Sequence, residues 1–441
     1  MTTSAGKKRL AVLFFSQRFP YPMDTGGKIR TGKLLEQLNA LFHITLVSNV
    51  ESPKDDPYVA QVRNLCAEFH PVPWKEVKKY SVRFYLKLLR GIFSHYPFTV
   101  INDYSKDLET ALRDLTASKR FDLLVCDFLQ PSLNVRNLNG VPKLLFEHNI
   151  ESVIPRRHLD TARNPIGKAF WWLQWRRMER YERETCRSFT GTVAVSEPDK
   201  ECLEERFGVE NVFSIPTGVD TDYYAPRKDH VKKNSLVFTG SMDWLPNEDA
   251  IIFFAREILG RVKRKIPDIT LTVVGRNPSR RLLQEVEHHP EIDVVGWVSD
   301  TRPYIGSHAL YVIPLRIGGG TRIKVYEAMA MGKAIVSTRV GVEGLPIRDG
   351  DHAVLADEPD EFAGAVANLL QDVEQRNRIE RSARSFVEAH ASWGKAADAF
   401  AAVCREVADN TSARKYFSGL HPAGNTESLP DSHFDATVDR R

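Results

Sequence analysis

The sequence predicts an α/β protein built from two Rossmann-like, doubly wound domains that face each other across a cleft. Three observations carry that prediction. At 441 residues the chain exceeds what one ordinary core organises, and two or three folding units are expected. Short apolar runs rich in Val, Ile, Leu and Phe alternate with longer segments of helical period, which is the βαβ signature of a parallel sheet covered on both faces. The alternation occurs twice, on either side of the turn-rich segment Ile215-Pro216-Thr217-Gly218-Val219-Asp220, which is followed by Tyr223, Tyr224, Pro226 and a charged stretch over 227–233.

In the first half, strands are expected at Leu10–Phe15, Ile44–Ser48, Leu123–Cys126, Lys143–Phe146 and Thr192–Val195, with helices at Lys28–Leu41 and Asp107–Ala117 among the segments between them. The second half gives strands at Ser235–Phe238, Thr270–Val274, Asp293–Val295, Leu310–Ile313 and Ala334–Ser337. Residues 376–407 carry Ala, Phe and Val at helical spacing and are expected to be helical. The domains are accordingly placed at 1–222 and 223–395, with a helix over 396–410 packing back on the first domain and a polar, mobile tail over 411–441. Ligands of open parallel sheets collect at the carboxyl ends of the strands, so the cleft is where a site belongs.

Composition narrows the function classes. The 42% apolar and 27% charged fractions are those of an ordinary globular protein. Cys66, Cys126, Cys186, Cys202 and Cys404 are scattered, odd in number and form no CxxC pair, which argues against a disulfide framework or a zinc site and for a reducing, cytoplasmic setting. The apolar run Leu10–Phe15 is too short for a signal sequence, and no stretch reaches the roughly 20 apolar residues that cross a bilayer. A net charge of +4 is too small to imply nucleic acid. The basic excess lies in residues 1–225, with 32 Lys and Arg against 27 Asp and Glu.

The most informative segment follows the strand Leu310–Ile313: Pro314-Leu315-Arg316-Ile317-Gly318-Gly319-Gly320-Thr321-Arg322-Ile323-Lys324-Val325-Tyr326-Glu327. A Gly-rich turn that opens a helix leaves backbone N–H groups unpaired at the positive end of the helix dipole and lets an anion approach closely. Arg322 and Lys324 add two cations, a combination that suits a diphosphate better than a carboxylate. Glu327, further along that helix, is placed to accept hydrogen bonds from the vicinal hydroxyls of a ribose. A surface i,i+3 pair between Lys324 and Glu327 is the plain alternative. The spacings of a Walker loop and of GxGxxG are both missing.

This segment, with the blocks Ala328-Met329-Ala330, Met331-Gly332-Lys333-Ala334, Gly341-x-x-Gly344, Pro216-Thr217-Gly218-Val219-Asp220 and Val273-Val274-Gly275, resembles the family-4 (group 1) retaining glycosyltransferases of the GT-B fold. The likeness extends over most of the chain, and the pattern resembles a subgroup of the family, the sugar transferases of exopolysaccharide gene clusters. It implies transfer of a sugar from a nucleotide diphosphate sugar, with no further cofactor, to a lipid-linked sugar or polysaccharide intermediate. The family's Glu-x7-Glu motif is altered: eight positions before Glu327 stands Gly319. The family's phosphate-binding Arg and Lys correspond to Ser241, after Gly240, and to Asn247. Arg322 and Lys324 are expected to replace the lost charge.

Further site residues follow from the resemblance and from strand ends together. Gly26 and Gly27 open the helix after the first strand, and the paired glycine loop of the family touches the donor phosphate or the acceptor. His148, in Phe146-Glu147-His148-Asn149 after the fourth expected strand, matches the family's active-site histidine and stands as the catalytic candidate beside Glu327. Gly275 and Val298 are expected near the nucleotide base; Arg18 and Arg30 are candidates for anionic ligand groups. Asp220-Thr221-Asp222 has the DxD form that binds a divalent cation in another glycosyltransferase fold, but it falls in the interdomain connector, and no metal is expected.

Two basic aromatic segments complete the reading. Residues 75–90 carry six Lys and Arg against one acid with Tyr80, Phe84 and Tyr85 interleaved, which suits peripheral contact with an anionic inner leaflet. Residues 156–187 carry nine Lys and Arg against four acids, and Phe170, Trp171, Trp172 and Trp175 there fit either a membrane face or the core stripe of a long helix. The altered motif leaves two rival functions: a non-catalytic partner that binds a sugar nucleotide without turnover, and a sugar-nucleotide epimerase. For transfer itself, no residue stands out as a covalent nucleophile, so a front-side route with stabilisation of the departing diphosphate is expected.

Overall fold

The computed structural model describes residues 9–75, 81, 91, 93–162, 164–227, 230–317 and 322–418. Two all-parallel sheets organise them. The first holds β1 (Ala11–Ser16), β2 (His43–Val50), β3 (Glu68–Pro73), β4 (Leu123–Asp127), β5 (Lys143–Phe146), β6 (Gly191–Ala194) and β7 (Val212–Ser214) in the order β3-β2-β1-β4-β5-β6-β7. The second holds β8 (Ser235–Thr239), β9 (Thr270–Val274), β10 (Ile292–Gly296), β11 (Leu310–Ile313), β12 (Ile335–Ser337) and β13 (Val354–Leu355) in the order β10-β9-β8-β11-β12-β13. In each, the central strands are buried on both faces, so sequences such as Leu123-Leu-Val-Cys126 read as continuous apolar runs rather than alternations.

Each sheet is wider than the sequence indicates, and the three additional strands explain themselves. β3 carries Pro71 and Pro73, which read as loop, yet it lies at the sheet edge where a missing N–H is tolerated. β7 and β13 span three and two residues, too short to leave a period.

Helices cover both faces. Those that position the site are α1 (Gly26–Leu38), α2 (Lys106–Ser118), α3 (Val153–Thr161), α4 (Pro165–Ser188), α5 (Leu245–Phe253) and α6 (Ile323–Ala330). The helical segment expected over 376–407 comprises two helices, α7 (Val373–His390) and α8 (Trp393–Ser418). The break has a cause in the tertiary structure: Val219 donates its N–H to Ala391 O at 2.8 Å, and Trp393 N–H donates to Val219 O at 3.3 Å, so the backbone at 391–393 pairs with the connector instead of continuing a helix. α8 then packs on α1, with Phe400 edge-on against Phe146 at 5.0 Å. It continues to Ser418, past position 410 where composition places its end.

The chain therefore crosses between the domains twice, at 215–220 and at 391–393, and the two crossings are paired. Arg384 fixes the connector to the second domain by donating to the carbonyls of Thr221 (3.1 Å), Tyr224 (2.9 Å) and Ala330.

Candidate functional site

Carboxyl ends of both sheets meet across one cleft. Arg276, just beyond β9, reaches Asp24 of the β1–α1 loop at 3.4 Å, and Gly344 of the second domain sits against Ser196 of the first.

On the first-domain side, three strand ends and α1 converge on Asp127. This carboxylate is fully buried and accepts hydrogen bonds from Ser16 Oγ (2.8 Å) and Thr31 Oγ1 (2.9 Å) through Oδ2. Its Oδ1 lies 2.7 Å from His148 Nε2. An ionised carboxylate only accepts, so Nε2 carries the proton and Nδ1 is the basic edge of the ring. Burial holds His148 below the ordinary imidazole pKa and outweighs the opposing pull of Asp127, so the ring is neutral near pH 7. Nδ1 is itself buried and has no hydrogen-bond partner among the described residues. A fixed, buried, unsatisfied acceptor is costly unless a ligand hydroxyl completes it.

Phe128 holds the ring in place. It follows β4 with φ at 71°, an uncommon conformation for a bulky residue, and stacks on His148 with centroids 3.8 Å apart and planes 8° from parallel. Arg18, exposed, lies 4.5 Å above the Phe128 ring. Gly27 permits this arrangement, since a Cβ there would fall 2.6 Å from Phe128 Cζ. Gly26 and Gly27 begin α1, where the N-cap residue Thr25 supplies no side-chain hydrogen bond. Arg30, one turn into α1, is buried; one terminal nitrogen bonds Thr217 Oγ1 in the connector, and the other, Nη1, has no hydrogen-bond partner among the described residues. Burial lowers its pKa to about 9, the mark of a cation short of counter-charge.

Glu147, the chain neighbour of His148, points the other way. It is buried behind the sheet with Glu182, Glu151 and Cys186, where burial and the neighbouring carboxylates raise its pKa well above the usual range. Glu182 in turn accepts from the amides of Glu151 and Ser152 and so anchors the start of α3.

In the second domain, Gly318, Gly319, Gly320 and Thr321 lie outside the described residues. The cations that follow them diverge. Arg322 donates to Val340 O at 3.0 Å and pairs with Glu343 at 3.4 Å. Lys324 turns toward the β8–α5 loop: its Nζ donates to Asn247 Oδ1 at 2.7 Å, sits 4.3 Å over the Phe238 ring, and lies 2.6 Å from where a Cβ of Gly240 would stand. Burial pushes its pKa down to about 7. Glu327 is half-buried, bonded to Tyr224 of the connector, and raised above the usual carboxylate value by burial. Lys324 and Glu327 thus each have a tertiary partner in addition to their mutual attraction along the helix.

Gly275 does not offer a free amide for a base, because its N–H donates to Gly296 O at 2.9 Å. Its requirement is steric: a Cβ would fall 1.8 Å from Gly240 O. Gly275→Ala is expected to destabilise the fold by about 3 kcal/mol, or roughly 6 to 12 °C in melting temperature by calorimetry. Val298 is half-buried beyond β10, next to the exposed Trp297. Asp220 accepts the Tyr223 N–H at 2.9 Å and lies 3.8 Å from Lys33, closing a turn of the connector.

Asp127, Phe128 and Arg276 are residues that the sequence reading passed over. Each ends or immediately follows a strand, the same positional signal that singles out His148. Arg276 donates from Nε to Ser241 Oγ at 3.0 Å, so it brings a guanidinium to the residue that stands in place of an arginine. Arg276→Ala is expected to weaken anion binding in the cleft by roughly tenfold, a modest loss because the group is solvated, as titration calorimetry with a sugar nucleotide would measure.

Comparison with known proteins agrees with this architecture. Residues 26–223 match the profile described as Glycosyltransferase Family 4, and residues 233–372 match Glycosyl transferases group 1. An uncharacterised 44.6 kDa protein in the cps region of Klebsiella pneumoniae is 22% identical over 394 residues, covering 86% of this chain and 95% of that protein. A phosphatidyl-myo-inositol mannosyltransferase of Mycobacterium tuberculosis is 31% identical over 193 residues, which are 41% of this chain and 49% of the enzyme. In fold, the Anabaena protein HepE, solved with UDP and glucose, superposes with a TM-score of 0.62 at 11% identity, over 92% of this chain and all of that one.

Proposed function

This chain belongs to the family 4, group 1 glycosyltransferases, and from that premise we propose that it moves a sugar from a nucleotide diphosphate sugar to an acceptor hydroxyl, with retention and without a metal ion. The acceptor in this reading is a lipid-linked sugar or a polysaccharide intermediate, in keeping with the cps-region relative.

One observation carries the reading more than any other. Positions 241 and 247, where the family has cations, hold Ser and Asn, yet Lys324 bonds Asn247 and Arg276 bonds Ser241. Two cations are thus delivered by other elements to the places where chain position lacks them. A diphosphate seated there meets Lys324 and Arg276 directly, and the charge developing on it as the sugar leaves is stabilised by groups already in place. Arg322 contributes less, being partly neutralised by Glu343. Glu327 supplies the ribose contact, exchanging its bond with Tyr224 for the vicinal hydroxyls. The unsatisfied Nδ1 of His148 accepts from a hydroxyl of the transferring sugar, a role left open by Gly319 in place of glutamate.

A thermal-shift screen of nucleotide sugars tests this, beginning with activated mannose and glucose because of the mannosyltransferase relative and the UDP- and glucose-bound neighbour. A true donor at a hundred times its Kd stabilises the fold by about 2.7 kcal/mol. The same donor is expected to be consumed when extracted lipid-linked acceptors are added. Binding without consumption across such acceptors would favour the non-catalytic partner, and no shift with any nucleotide sugar would defeat the donor assignment.

A further inference from the structure

The α3–α4 hairpin presents an apolar surface that neither domain covers. α4 is 24 residues long, about 36 Å, and its buried residues are Gln174, Met178, Glu179, Tyr181, Glu182 and Cys186. All but one lie in the second half. The first eleven residues, Pro165-Ile-Gly-Lys-Ala-Phe-Trp-Trp-Leu-Gln-Trp175, are mostly apolar, and Gln174 alone among them is buried. This excludes the core-stripe alternative for the aromatic cluster. Ile166 is 85% exposed and Trp172 52%. Phe93, 89% exposed, belongs to a segment laid along the same helix, where Arg180 donates to His95 O at 3.1 Å.

Charge surrounds this surface with one sign. Residues 153–176 contain five Lys and Arg, at 156, 157, 163, 168 and 176, against the single acid Asp160. Arg156 lies 4.4 Å over the ring of Trp175, and Trp171 stacks on His158 at 4.3 Å, so cations and indoles form one layer. The hairpin also stands at the cleft. α3 begins five residues after His148, and Arg157 is close enough to Asp199 and Arg322 to influence both.

We propose that the first three turns of α4, with Phe93 beside them, dock on the surface of an anionic bilayer and set the cleft mouth against the membrane. The exposed indole of Trp172 and the Ile166 side chain bury at the acyl boundary while a fringe of Lys and Arg meets lipid phosphates, which is the composition of an interfacial helix. The face is a projecting helix end, not a concavity that would hold a small apolar ligand. Pairing with a second copy through the same face would set like charges against each other.

Docking is read without donor or acceptor, so its outcome is separate from that of the transfer reaction. The full chain is floated with vesicles of phosphatidylcholine alone and of phosphatidylcholine with phosphatidylglycerol, and tryptophan emission is followed with brominated lipid. The expected result is flotation with the anionic vesicles, quenching by bromine, and reversal by salt. The Ile166→Ser, Trp172→Ser double variant is expected to lose at least about tenfold in vesicle affinity, and Lys168→Glu several-fold, whereas Val373→Ser, an exposed apolar residue of the second domain, loses none. Melting curves of the variants confirm the fold, and wild-type quenching decides the matter independently of them. Absence of flotation with both vesicle types, or flotation unaltered in the double variant, overturns the proposal. So does sedimentation velocity showing a dimer that the double variant abolishes.

Discussion

Asp127→Asn is expected to lower kcat of sugar transfer by roughly 10² to 10³ while leaving the Kd of the donor nucleotide nearly unchanged. The wild-type carboxylate accepts from Ser16, Thr31 and His148 at once. An asparagine amide has only one oxygen; its NH2 group, facing the ring, turns His148 into the tautomer protonated on Nδ1. The edge meant to accept from a sugar hydroxyl then donates, and the proton of that hydroxyl loses its acceptor. His148→Ala is expected to cost a similar factor, and the double variant little more than either single one, because both act through one hydrogen-bonded unit. Steady-state kinetics with the donor found by thermal shift checks this, and a purely additive double variant would refute the unit. Asp127→Asn also replaces the charge-assisted hydrogen bonds from Ser16 and Thr31 with weaker neutral ones, so a loss of about 1 to 3 kcal/mol in stability accompanies the kinetic effect.

Lys324→Gln is expected to weaken donor binding by roughly 30- to 100-fold, the worth of a charge-assisted hydrogen bond at a half-buried site. Its titration sharpens the test. In the free protein burial lowers the Lys324 pKa to about 7, and a bound diphosphate favours the charged form and raises it. Binding therefore takes up a proton. The affinity is fully present below about pH 7 and falls as pH rises above it, by at most tenfold per unit, until the pKa of the complex is passed. A diphosphate esterified at both ends does not titrate in this range, so the slope belongs to the protein. Calorimetry in two buffers of different ionisation enthalpy measures the proton uptake directly. In Lys324→Gln both the uptake and the slope should vanish; their persistence would assign them to another group.

How much of this was legible beforehand depends on the scale of the feature. Short, predominantly apolar runs marked ten of the thirteen strands, because a strand buried on both faces is apolar along most of its length. Strand ends, read with the resemblance, located His148, the glycine turn of α1 and the Lys324–Glu327 helix. Asp127 lay one residue past an expected strand, and nothing local in Cys126-Asp127-Phe128 separates a histidine-orienting carboxylate from a solvated one. Its role exists only because β1, β4, β5 and α1 bring Ser16, Asp127, His148 and Thr31 together from four stretches of chain.

The sequence by itself determined the two doubly wound domains, the connector between them and the anion-facing helix start. These follow from periodicity, from glycine and from charge, which act between near neighbours in the chain. Tertiary structure alone decided where the charges go: Lys324 to Asn247, Arg322 to Glu343, Arg276 to Ser241, and Glu147 away from the cleft. It also decided that Ile166 and Trp172 of α4 face outward and that the chain breaks helix at 391–393 to pair with the connector. The reason is the same in each case. A side chain's partner, and hence its protonation and its chemistry, is set by which distant segment folding places within about 3 Å of it, and that distance has no trace in local spacing.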